Sequence, residues 1–101
     1  VSFLNVTLGE LVYSKAGRDS GRKLVVIGIV NESYVLVSDG DLRRVEKPKK
    51  KKIKHLELTG TVIGSLGEKL KNNQKVTNSE IRKALMAYEN KLGGNGVKEE
   101  V

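Results

Sequence analysis

Between residues 9 and 58 the hydrophobic positions recur at short intervals, and turn residues interrupt them at nearly every step. Residues 11–14 read as a first strand. Residues 24–30 are dense in β-branched side chains and too short for a typical helix, so they read as a buried strand with a bend at Gly28. Asn31-Glu32-Ser33 is a turn and residues 34–38 a further strand. Asp39-Gly40 is the strongest short hairpin signal, leading to a strand at residues 42–45. A last strand is expected at residues 52–56, with Ile53 and His55 on one face and Lys52, Lys54 and Leu56 on the other. Several short strands within about fifty residues predict a small antiparallel barrel, which also removes exposed sheet edges. Pro48 cannot sit in a central strand, so residues 46–50 are expected as a loop or frayed edge.

After residue 58 the period lengthens. Thr59 is placed to cap a helix whose apolar positions Val62, Ile63, Leu66 and Leu70 follow helical spacing, although Gly60, Gly64 and Gly67 oppose it. Lys71-Asn72-Asn73-Gln74 is a polar turn. Thr77-Asn78-Ser79-Glu80 is a capping box, in which the Thr hydroxyl accepts from the backbone three residues on while Glu80 reaches back. Ile81, Leu85, Tyr88 and Leu92 form one stripe of the helix that follows, and Gly93-Gly94 is expected to end it. The fold class is mainly β plus α: a small antiparallel barrel followed by two C-terminal helices. Residues 1–8 read as an N-terminal extension, 9–58 as the barrel, 59–93 as a helical appendage and 94–101 as a flexible tail.

Composition narrows the function. A chain of 101 residues with 38% hydrophobic side chains buries one core. It has no cysteine, which excludes disulfides and thiolate metal sites and favours a reducing, cytoplasmic setting. Residues 1–8 lack the basic and long apolar regions of a signal peptide, and no stretch has the roughly 20 apolar residues that span a bilayer. The net charge of +7 is unevenly spread. Residues 41–56 hold eight basic and two acidic side chains, a net of +6, while residues 1–40 balance and 57–101 add only +1. An excess confined to one segment marks a polyanion site.

The candidate residues follow from that segment and from the turn before the second strand. Gly17 and Gly21 can adopt positive φ, reversing the chain sharply and leaving amides at the loop tip beside Arg18, Arg22 and Lys23, with Lys15 at its entrance. Together these make a small anion-binding surface. The spacing is neither a phosphate-binding Walker loop nor a dinucleotide fingerprint, because a strand follows it instead of a helix. The second group is Arg43, Arg44 and Lys47, with Lys49, Lys50, Lys51, Lys52 and Lys54 after them. Lysines act on phosphate as point charges and arginines can bind it bidentately. Five to eight such contacts predict a log–log salt slope of about −4 to −7.

Tyr13 and Tyr34 are the aromatic residues near the barrel, available either to stack on bases or to pack in the core. With aromatics at 4% of the chain, contact with the backbone of a polyanion fits better than stacking. His55 is the single histidine, which excludes a two-histidine metal site within one chain, and no serine has an evident base beside it. No catalysis, metal or cofactor is expected.

Residues 8–30, continuing through Tyr34-Val35-Leu36-Val37 to Asp39-Gly40, resemble the KOW motif, in particular the single-KOW, SH3-like barrels of large-subunit ribosomal proteins and their bacterial RNA-binding relatives. The resemblance covers about residues 8–58. It departs from the pattern at Ser20-Gly21-Arg22-Lys23, where many KOW sequences carry a second small residue. It implies an RNA-binding barrel that uses its loops and basic rim, with ribosomal or ribosome-associated RNA as partner. The helices would brace the barrel or dock a protein. One alternative is a protein-interaction module for acidic or extended peptides, which would need an aromatic-lined groove. Another is DNA binding through the helix pair, which the near-neutral charge of residues 57–101 disfavours.

Overall fold

The structure, a computed structural model, describes residues 6–15 and 17–98, and the side chains of these except 19 and 89–98. Five strands come first: β1 (Glu10–Ser14), β2 (Lys23–Ile29), β3 (Tyr34–Ser38), β4 (Lys49–Lys52) and β5 (Leu56–Val62). Helices α1 (Gly64–Lys71) and α2 (Asn78–Lys98) follow, and short 3-10 turns occupy Gly17–Asp19 and Ile53–His55. All pairings are antiparallel, in the order β4-β3-β2-β1-β5.

That order requires a closed shape. β4 and β5 are the two outer strands, yet only the turn Ile53–His55 connects them. Four Cα steps reach at most about 15 Å, whereas the edges of a flat five-stranded sheet lie about 19 Å apart. The sheet must curl, and the result is the small SH3-like barrel with two helices after it.

The aliphatic run of β2 is explained by burial on both faces. Leu24 and Val26 join Val12, Val35, Val37 and Leu56 inside the barrel, together with Val6 from the N-terminal segment. Val25, with Ile27 partly buried beside it, faces the other way and packs with Leu11 against Leu66, Val76, Ile81 and Leu85 of the helical segment. The register shifts between Val26 and Gly28, at the expected bend.

Three sequence expectations within residues 42–62 are corrected. Residues 42–45 form no strand. The Asp39 carboxylate accepts from the amides of Asp41 and Arg43, the Ser38 hydroxyl donates to the Arg43 carbonyl, and the Val45 amide donates to Asn78 Oδ1. Those backbone groups are engaged within the loop and by Asn78, and β3 pairs instead with the lysine run Lys49–Lys52. The expected strand at residues 52–56 is the 3-10 turn followed by the start of β5. Thr59 caps no helix: it lies in β5, where its hydroxyl donates to the Leu11 carbonyl at 2.6 Å. The buried Glu10 carboxylate accepts from the amides of Thr7 and Gly60, fixing the irregular register between β1 and β5. Helix α1 therefore starts only at Gly64.

The capping box of α2 is present. Thr77 Oγ1 accepts from the Glu80 amide at 3.1 Å and Glu80 Oε1 from the Thr77 amide at 2.9 Å. Ile81 and Leu85 are buried and Tyr88 packs beside them; the side chain of Leu92 lies outside the described residues. The backbone of α2 continues through Gly93-Gly94 to Lys98, because glycine lowers helix propensity by only about 1 kcal/mol without forbidding helical angles. Of the extension and tail expected from sequence, residues 1–5 and 99–101 lie outside the described residues.

The start of α2 is clamped to the β3–β4 loop. Asn78 Nδ2 donates to both Glu46 carboxylate oxygens, and Arg82 donates to the Gly40 carbonyl at 2.6 Å. Gly40 takes φ 75° with α2 pressed against it. A Cβ there would lie 3.0 Å from Arg82 Cγ and 3.1 Å from Ile81 Cβ, and would also meet the Asn78 carbonyl. Gly21, at φ 83°, faces open space. Gly40→Ala should therefore cost about 3 kcal/mol in urea unfolding, from backbone strain plus overpacking, whereas Gly21→Ala should cost about 1 kcal/mol.

Two carboxylates sit below the usual glutamate value of 4.5: Glu46 through the Asn78 hydrogen bond, and Glu80 through hydrogen bonds from Lys69 and the Thr77 backbone. A depressed native pKa stabilises the fold above the unfolded-state value and is lost as pH falls through the native one. The melting temperature of the wild type should exceed that of Glu80→Gln at neutral pH. The gap should close as pH drops below about 4.5, as followed by circular dichroism.

Candidate nucleic-acid interface

The glycine loop is a tight, internally bonded structure. Ser14 donates to the Arg22 carbonyl at 3.1 Å, Gly21 to the Ser14 carbonyl at 2.7 Å and Ser20 to the Gly17 carbonyl at 3.1 Å. Gly17 and Gly21 both carry positive φ, 75° and 83°, which is the conformation that lets the reversal happen within so few residues. The amides of Ser20 and Gly21 are thus engaged within the loop. Lys15 and Arg18 are exposed and Lys23 is half-buried at the start of β2. Arg22 meets the Asp39 carboxylate at 3.2 Å, an arrangement the sequence hid because Asp39 was read as turn chemistry.

The lysine run forms a strand, and its alternation sorts it. Lys50 and Lys52 are exposed, and their ammonium groups lie 4.9 Å and 6.0 Å from the centroid of the Tyr34 ring. Lys51 points the opposite way: it is only 8% exposed and its Nζ donates to Ser14 Oγ at 3.0 Å. Lys49 is exposed opposite Val37, and Lys54 is exposed on the 3-10 turn. Lysine suits this position because a charged edge strand resists pairing with other chains.

Several short contacts join these parts. The Lys15 amide donates to the His55 carbonyl at 2.8 Å, bringing the glycine loop against the turn that carries Lys54. A Cβ on Gly17 would lie 4.0 Å from Lys51 Nζ, so the loop also abuts β4. The Arg22–Asp39 pair links the loop to the segment bearing Arg43, whose carbonyl accepts from the amides of Asp39 and Gly40. Arg43 is half-buried, and Arg44 and Lys47 are exposed. Arg44 lies 3.6 Å from Glu46, which ties it to the start of α2. Loop, turn and edge strand are therefore contiguous, with Lys51 turned inward and Arg44 drawn toward the helix.

Among the described residues no three His, Asp or Glu side chains gather to hold a metal ion, and no helix is long and apolar enough to cross a membrane.

No family model matches the chain. It is similar to the putative ribosome-binding protein YbzG of Bacillus subtilis, at 32% identity over 71 residues that cover 70% of this chain and 96% of that protein. It is also similar to the large ribosomal subunit protein eL14 of Desulfurococcus amylolyticus, at 34% identity over 58 residues, 57% of this chain and 60% of that protein. The eL14 protein of Pyrobaculum calidifontis is 29% identical over 82 residues, 81% of this chain and 73% of that protein. The match thus spans 60% of the length of the Desulfurococcus protein and nearly all of the Bacillus one. With the strand order, the glycine loop and these relatives together, the chain belongs to the KOW-motif family of SH3-like barrels that takes in large-subunit ribosomal proteins and a bacterial ribosome-binding relative.

Proposed function

We propose that this chain is a non-enzymatic, cytoplasmic RNA-binding protein that contacts ribosomal RNA or another structured RNA of a ribosome-associated assembly. The observation that supports this reading is the contiguity of the glycine loop, which bears Lys15 and Arg18, with the 3-10 turn that bears Lys54 and with β4, whose exposed positions include Lys50 and Lys52. The printed names of the relatives, a ribosomal protein and a putative ribosome-binding protein, point to the same class of partner. Such a surface binds through phosphate charge, with limited dependence on base sequence. Lys49 supplies further charge at the sheet end nearest the glycine loop, and Lys47 extends it toward the helices. The helices brace the barrel by covering the outer faces of β1 and β2.

Titrating binding to a structured ribosomal RNA fragment against salt tests this. Affinity should be high at low salt and fall steeply on a log–log plot, and absence of binding at low salt would overturn the proposal. Lys50→Met and Lys52→Met should each reduce the slope by about 1. Lys51→Met should leave the slope unchanged, because that ammonium is bound within the barrel.

A further inference from the structure

Tyr34 pairs with Lys52 across the β3–β4 ladder. It opens β3, and its backbone is held on both sides: its amide donates to Asn31 Oδ1 at 3.0 Å, and its carbonyl accepts from Val30 and Asn31. The ring is half-buried and lines a depression with Glu32 and Ser33 on one side and Lys52, Ile53 and Lys54 on the other. The Ile53 amide donates to the Ser33 carbonyl at 2.8 Å, so the two walls are fastened to each other. Lys50 and Lys52 reach over the ring from β4.

We propose that this depression receives one unpaired nucleotide of the bound RNA, its base stacked on Tyr34 and its flanking phosphates on Lys50, Lys52 and Lys54. The inference rests on the RNA-binding reading and goes beyond it, since phosphate contact alone does not distinguish paired from unpaired RNA. An aromatic face within a ring of cations is the arrangement that binds a base together with its phosphates. On meeting phosphate, the two ammonium groups exchange a cation–π contact for a direct ion pair and uncover the ring. A ring recessed between walls is closed to bases already stacked in a helix, so a duplex reaches only the lysines. Glu32, the one carboxylate in the lining, repels phosphate from its wall and so sets the direction in which the strand enters.

The test uses the full chain and two short RNA hairpins, one fully paired and one carrying a single bulged 2-aminopurine. The bulged hairpin should bind about 10-fold tighter, the order of one base–aromatic stack, with quenching of 2-aminopurine fluorescence. Tyr34→Leu should abolish the preference and the quenching while leaving binding to the paired hairpin and its salt slope unchanged; Tyr34→Phe should retain both. Equal wild-type affinity for the two hairpins without quenching would overturn the inference and leave the RNA-binding reading standing. Failure to bind either hairpin at low salt would overturn both.

Discussion

Burial of β1 and β2 on both faces is the constraint from which the rest of the molecule follows. Val12, Leu24 and Val26 fill the barrel while Leu11 and Val25 meet the helices. Each such side chain contributes about 1.5–3 kcal/mol by leaving water. Two adjacent strands that must be covered twice need a layer on each side, and the helical segment provides the outer one. The covering of β1 and β2 assigns the helices to that side of the barrel. The lysine run is left to β4, with Lys54 on the 3-10 turn after it.

The lysine strand is a balance of comparable terms. Neighbouring exposed ammonium groups about 7 Å apart repel by about 0.6 kcal/mol in water, less with salt. A backbone hydrogen bond contributes about 0.5–1.5 kcal/mol net. The ladder to β3 can therefore outweigh the repulsion, with Lys51 removed from the outward row and bound to Ser14. A polyanion lying along the outward lysines would lift the remaining repulsion, so binding and strand order favour each other.

The sequence was most legible where local chemistry and tertiary demand coincide. The strands around residues 11–14, 24–30 and 34–38, the turn at Asn31, the bend at Gly28 and the capping box at Thr77 all appear where their residues indicate. It misled where a side chain far along the chain captured the backbone. Asn78 takes the amide of Val45, 33 residues away, and Glu10 takes that of Gly60, 50 residues away; neither pairing leaves a periodic trace. The helical spacing of Val62, Ile63, Leu66 and Leu70 was misleading because its first member ends β5 and its second caps α1. For the lysine run, the sequence showed the concentration of charge but not its geometry. A strand turns alternate lysines to opposite faces, and that sorting became visible only once the run was known to pair with β3.

The central claim is that Lys49–Lys52 is an ordered strand presenting fixed charges and not a solvated, mutually repelling tether. Amide hydrogen exchange in the free protein tests it most directly. The account predicts strong protection at alternate residues of this strand and at Ile53, whose amide is bonded to Ser33, persisting to the global unfolding limit of the barrel. Exchange of all these amides at the rate of an unstructured peptide would contradict it.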